Sequence, residues 1–321
     1  MAPVPPPAPE PAGGGRFRAW PKAELHSHLD GALRRSTAEE LAAAQDLDLP
    51  RPLRLVAPDS CGSQAELLTY FDAPLALLQT EAALERAARE LAEDSAEDGV
   101  DYLEARWAPL LHLRRGLGPE AVIGAVLRGL AAGPIRAVAI VCAMRHHSPW
   151  ENEALARSAG RFAGRGVVGF DLAGDEAAFP ALPQRPAFQA ARAFGLHLTC
   201  HAGEAGAPAH VEEALRLGVE RIAHGATAAA DPRLVERLRT EGAVLDLCPT
   251  SNWKAKTVPR LEEHPLPGLV RAGVRCTISS DSGTVVATTL TREYELCSTR
   301  LGMTDAELRA CDATARRAAF G

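Results

Sequence analysis

The sequence predicts an α/β fold, a closed TIM-type (β/α)8 barrel with a helical segment inserted after its first strand. Three observations carry that prediction. Short apolar segments recur eight times after residue 20, most are followed by a stretch of helical periodicity, and most end in polar residues that an apolar core would not hold. The first strand is AELHSHL at 23–29. The second, VDYLEARW at 100–107, comes only after roughly 70 residues, more than one βα connection uses, which predicts an inserted helical lid over the barrel mouth. AVAIVCAM (137–144), VVGFDLAG (167–174), HLTCHAG (197–203), RIAHG (221–225), AVLDLCP (243–249) and CTISSDS (276–282) complete the set. Between them lie helical stretches such as LERAARELAEDSAEDG, PEAVIGAVLRGLAA, PAFQAARAFG, HVEEALRLG, PRLVERLRTEG and LPGLVRAG, several closed by glycine. A doubly wound open sheet is the competing fold, but no GxGxxG follows any strand.

Composition narrows the partners. The net charge of -6 comes from interspersed rather than blocked charges, so no face is expected to attract nucleic acid or an anionic membrane, and a small molecule is the expected partner. No apolar run approaches the ~20 residues that span a bilayer. The seven cysteines are scattered, and no CxxC pair occurs, which reads as reduced core residues in a cytoplasmic protein. Residues 1–19 open with six prolines and three glycines in MAPVPPPAPEPAGGG and are expected to be a flexible tail; residues 20–321 are expected to form one domain. Oligomeric state is open.

Strand C-termini of a barrel converge on one face, where active sites are built. His26 and His28 alternate along a strand and so point to the same side, a pattern as compatible with metal ligation as with a packed pair. His201 and Asp281 end two later strands and would complete an N/O ligand set of the catalytic zinc type, with one position left for water. Glu204, on the loop three residues beyond His201, is placed to act as a general acid. His224 ends the sixth strand and, with Asp281, would orient or deprotonate the attacking water. Water, base and acid together describe a hydrolase.

The ordered segments PKAELHSHLDGALR, YLEARWAP, CAMRHHSPW, VVGFDLAGDE, HAGEAG, RIAHG, CPTSN, EEHP and SSDS make the chain resemble adenosine deaminase, a zinc-dependent branch of the amidohydrolase superfamily. That resemblance implies one Zn2+ per chain held by His26, His28, His201 and Asp281. It implies that Glu204 protonates N1 of a purine while water adds to C6, with His224 and Asp281 handling that water. His28 also borders the substrate, Gly174 offers its N–H to N3, and Asp30 holds a ribose hydroxyl. The implied reaction is deamination of adenosine or 2′-deoxyadenosine to inosine or 2′-deoxyinosine and ammonia. One departure lies in the site: family members commonly carry a second acid after the metal-binding aspartate, facing N7, and here Ser282 stands there. A serine hydroxyl can donate to N7, but the change leaves open a larger nucleoside such as 6-aminodeoxyfutalosine. A metal-dependent esterase of the two-metal kind lacks its strand-end lysine here, a non-catalytic binding protein would have no use for Glu204 and His224, and the HxE…PCxxC of cytidine deaminases is absent. Other polar residues read as structural: His197 and His210, Asp171 and Asp175 beside Gly174, and Ser251 with Asn252 in the seventh loop. Arg145, His146 and His147 shape the mouth or lie in a solvated loop. His112 and His264 receive no role.

Overall fold

The computed structural model describes residues 14–45, 47, 49–59 and 61–321. Eight strands, β1 (Lys22–His28), β2 (Val100–Trp107), β3 (Arg136–Met144), β4 (Val167–Ala173), β5 (His197–Ala202), β6 (Arg221–His224), β7 (Val244–Leu247) and β8 (Arg275–Ile278), lie in chain order in one sheet. Each neighbouring pair is parallel. The ring closes beyond the end of β8, where His28 N donates to Asp281 O (2.6 Å) and Asp281 N donates to His26 O (2.9 Å). This is the predicted barrel. Its seam is made by the backbone of residues expected in the site.

The helices are α1 (Gly14–Arg18), α2 (Arg35–Ala44), α3 (Gln64–Leu68), α4 (Asp72–Leu77), α5 (Glu81–Glu97), α6 (Pro119–Ala131), α7 (Pro149–Gly160), α8 (Arg185–Ala193), α9 (Pro208–Leu217), α10 (Pro232–Glu241), α11 (Pro249–Lys254), α12 (Leu266–Arg271), α13 (Leu290–Thr299) and α14 (Asp305–Ala318). Local chemistry sets their ends. Ser148 and Glu151 form a capping box at the start of α7, and Asp231 accepts the first amides of α10. Gly218 and Gly242 stop α9 and α10 in the left-handed conformation (φ 77° and 74°), which costs a residue without Cβ nothing. Helices α2 to α4 are the predicted insertion between β1 and the outer helix α5. Among the described residues no helix is long and apolar enough to cross a membrane.

The N-terminal boundary differs from the expected one. Residues 1–13 of the expected tail lie outside the described residues, but Phe17 is buried, stacked on Trp20 (5.8 Å) and beside Tyr294 (6.2 Å). The buried ammonium of Lys22 explains this: it donates to the carbonyls of Phe17 (2.6 Å), Trp20 (3.0 Å) and Asp98 (2.9 Å), tying the turn after α1 to the bottom of the barrel. Nothing in the preceding Pro/Gly run signals that tie.

The barrel interior is not purely aliphatic. Arg106 of β2 reaches Asp171 of β4 (3.1 Å) and Asp246 of β7 (3.7 Å), while Arg221 of β6 pairs with Glu104 of β2 and lies 3.2 Å from Asp246. Contacts between strands that are not neighbours must cross the lumen. All five side chains are buried, so each charge depends on its partners, and removing one would leave another uncompensated at a cost of about 3–5 kcal/mol.

Candidate active site

The C-terminal ends of β1, β5, β6 and the segment after β8 bring His26, His28, His201, His224 and Asp281 together. His28 Nε2 lies 3.2 Å from His26 Nε2 and 3.1 Å from His201 Nε2, and Asp281 Oδ1 lies 3.6 Å from His26 Nε2 and 3.5 Å from His28 Nε2. The outer nitrogens decide what these inner ones carry. His201 Nδ1 faces Asp171 Oδ2 at 3.0 Å, and a carboxylate only accepts, so the proton of His201 sits on Nδ1 and the lone pair on Nε2. Cys248 donates toward Asp246 O (3.6 Å), which leaves its sulfur to accept from His26 Nδ1 (3.7 Å). Bare imidazole nitrogens therefore converge beside a carboxylate, a donor set that fits a metal ion of the zinc type. Burial, aided by nearby Arg106 and His201, holds His26 and His28 well below the usual histidine range, so both stay neutral as ligation requires. Two of the residues are strained: His224 and Asp281 have φ of 69° and 63°, a region side-chain-bearing residues avoid and functional sites favour.

This cluster floors a cavity of about 270 Å³. Asp30, Gly174, Glu204 and Ser282 line it, together with apolar walls from Leu67, Leu68, Phe71 and Leu75 of the insertion. All the residues expected in the site therefore share one cavity or its floor. Asp30 is buried, and its Oδ1 accepts no hydrogen bond from the protein. Gly174 has φ 107°, open only to glycine. Ser282 Oγ donates to Asp281 Oδ1 (3.0 Å) and packs on Gly31, where a Cβ would meet Ser282 Cβ at 2.5 Å; the glycine of HSHLDG is thus required by close approach.

The sequence model of the adenosine deaminase family matches residues 21–321. An adenosine deaminase of Enterococcus faecalis is 37% identical over 314 residues, 95% of this chain and 93% of the relative. The chain belongs to the adenosine deaminase family. It is accordingly a hydrolase acting on carbon–nitrogen bonds. Solved relatives agree in fold: an adenine deaminase from Arthrobacter aurescens (28% identity, TM-score 0.86, 94% of both chains) and an amidohydrolase from Burkholderia ambifaria with bound Zn (26%, 0.88, 97% of this chain and 89% of the other).

In this family member several residues that the sequence reading passed over hold the site. Glu176 is a buried carboxylate that accepts the backbone amides of Gly203 (2.6 Å), Glu204 (2.9 Å), Ala205 (2.9 Å) and Gly206 (3.2 Å), clamping the loop that carries Glu204. Its own amide reaches Gln64 Oε1 (3.3 Å), and the amide group of Gln64 donates to Glu204 Oε2. The second acid of GDE was the available signal for Glu176; Gln64, inside the insertion, offered none. Asp171 proves to be the partner of His201. Arg145 is not a solvated loop residue, since it donates to His201 O (2.7 Å) and Phe179 O (2.6 Å), whereas His146 lines the cavity. His197 pairs with Glu220 (2.8 Å), away from the site, and His210 lies 3.1 Å from Glu176. His112, given no role, stands 3.7 Å behind Asp30.

Proposed function

We propose that the chain deaminates a 6-aminopurine nucleoside hydrolytically, converting adenosine or 2′-deoxyadenosine to the 6-oxopurine and ammonia. The observation that carries this is Glu204, a buried carboxyl facing the histidine–aspartate cluster across one cavity. Burial, with Asp281 and Glu176 nearby, raises it well above the ordinary carboxyl range, so it holds a proton at neutral pH and can give it to purine N1. Protonated N1 drains electron density from C6, which water then attacks. His224 and Asp281 handle that water: one of its protons passes by way of Asp281 to the amino group, the C6–N bond breaks and ammonia leaves, N1 keeps the proton from Glu204, and the C6 hydroxyl proton returns to Glu204 as C6=O forms. His26, His28, His201 and Asp281 would hold one Zn2+, which would supply the Lewis acidity that lowers the pKa of water toward ~7. Gly174 N–H binds N3, His28 borders the ring, and Asp30 accepts a ribose hydroxyl. The residues from α1 (Gly14–Arg18) to 321 act as one deaminase unit, and the seven buried free cysteines support a reducing, cytoplasmic setting.

The cavity lining contains no lysine or arginine among the described residues, so a 5′-phosphate would be desolvated beside Asp30 without a counter-charge. Adenosine is expected to exceed AMP in kcat/KM by about 10²-fold or more, on the scale of an unpaired buried charge. Ultraviolet absorbance with a panel of adenine, adenosine, 2′-deoxyadenosine and AMP checks this; AMP turned over as well as adenosine would overturn the nucleoside assignment. The apolar walls of the insertion favour, as a second reading, a larger adenine nucleoside with an aromatic 5′ substituent such as 6-aminodeoxyfutalosine, which is added to the panel.

Ser282 donates to N7. It has one proton, which in the free protein goes to Asp281, so N7 must win it from that carboxylate. Ser282→Ala is expected to cost roughly 1–3 kcal/mol in kcat/KM with adenosine, about 5- to 150-fold. An analogue with carbon in place of N7 should be a poor substrate already and lose little more. Equal losses on both nucleosides would show that serine serves Asp281 alone.

A further inference from the structure

The hydrogen bonds around His224 run in one direction from a residue with an unambiguous donor. Leu266 N–H donates to His264 Nδ1 (3.2 Å), so that nitrogen is an acceptor and His264 carries its proton on Nε2. His264 Nε2 faces Asn252 Oδ1 (3.0 Å) and donates to it. The other half of that amide, Nδ2, then faces His224 Nδ1 (3.0 Å) and can only donate. His224 Nδ1 is therefore the lone-pair nitrogen, and its proton sits on Nε2, the atom turned to the site and 3.5 Å from Glu204 Oε2, a partner that receives a donor. His264, Asn252 and His224 are all buried, so water offers no substitute partner. Burial alone pushes His264 down to about 3, which keeps it neutral and the direction of the chain constant.

We infer that His264 and Asn252 are positioning residues that lock His224 as the Nε2–H tautomer, so that His224 donates a hydrogen bond to the attacking oxygen and Asp281 alone takes the water's proton. This rests on the proposed placement of the attacking water beside His224. A nitrogen that already bears hydrogen has no lone pair for a second. As the O–C6 bond forms, one water proton goes to the Asp281 carboxylate and is then delivered to the departing amino group as the C6–N bond breaks; the second, on the C6 hydroxyl, returns to Glu204 as C6=O forms. Both water protons are thus placed without a change at His224.

Two measurements on the purified full-length protein test this. Imidazole 15N spectra, with His224 assigned by its loss in His224→Gln, are expected to show a protonated Nε2 and an unprotonated Nδ1; a proton on Nδ1 in the wild type overturns the inference, whatever the activity. Asn252→Asp is the complementary change, because an aspartate accepts from both imidazoles and moves the His224 proton to Nδ1. It should exchange the two nitrogen signals and lower kcat roughly 10²- to 10⁴-fold, the scale seen when a catalytic imidazole is held in the wrong tautomer, with little change in KM or bound metal. Exchanged signals with kcat preserved would overturn the donor role. If the variant fails to fold, the wild-type spectrum still decides the tautomer. Failure of the wild type to deaminate any 6-aminopurine nucleoside would instead sink the proposed function, and the spectrum distinguishes the two.

Discussion

Glu204→Gln is expected to fold normally, to bind metal as the wild type does, and to lose about 10²-fold or more in kcat. The glutamine amide keeps the length and can still meet Gln64, and the Glu176 clamp acts on the backbone of residues 203–206, which the substitution leaves in place. What disappears is the transferable proton. Without it C6 remains too electron-rich for attack, so the loss falls on kcat rather than KM. In the proposed mechanism Oε1 gives the proton, because Oε2 already faces Gln64 and His224. Comparing kcat, KM, metal content and melting temperature of the two proteins tests the assignment; near-normal turnover would remove Glu204 from the mechanism.

The same contrast between backbone and side chain explains what was legible in the sequence. The eight strands were readable because each apolar run is punctuated, and the punctuation, HSH, HAGE, AHG, SSDS, supplies the candidate site. His26, His28, His201, Glu204, His224 and Asp281 were singled out because they stand at those ends, which the barrel brings together. Residues that act through others were not. Asn252 and His264 are joined to His224 by bonds from α11 and from the segment that follows it, and Glu176 works on amides 27 to 30 positions away, separations with no periodicity to detect. The charged lumen had a signal that went unused: Glu104 and Arg106 alternate within YLEARW, where a strand buried on both faces would be apolar throughout. The packed α1 had none, since the Lys22 ammonium that ties it down reads in sequence as an ordinary surface charge.

His201→Ala is expected to abolish measurable deamination, and Asp171→Asn to do so only in part. His201 supplies one of the converging bare nitrogens, 3.1 Å from His28 Nε2, and its loss leaves a site with a donor missing on the side that faces Asp171. Asp171 acts one bond further out. Burial works to raise its carboxyl, yet the His201 ring beside it and the Arg106 guanidinium hold it well below the usual carboxylate range, so it is an anion and keeps the His201 proton on Nδ1. An asparagine there keeps shape but can present its amide N–H to Nδ1, turning the imidazole's lone pair away from the cluster. Removing such an outer partner costs 10- to 100-fold in metal affinity, whereas removing the ligand costs more. Elemental analysis after dialysis against a weak chelator should therefore give about one zinc equivalent for the wild type, less for Asp171→Asn and least for His201→Ala, with activity in the same order. Arg106 complicates the middle variant, because it loses an ionic partner at 3.1 Å, so the melting temperature must be read beside the metal content. Two tightly held metals in the wild type, an active protein without metal, or His201→Ala retaining a full equivalent would each show that the four residues are not the ligand set.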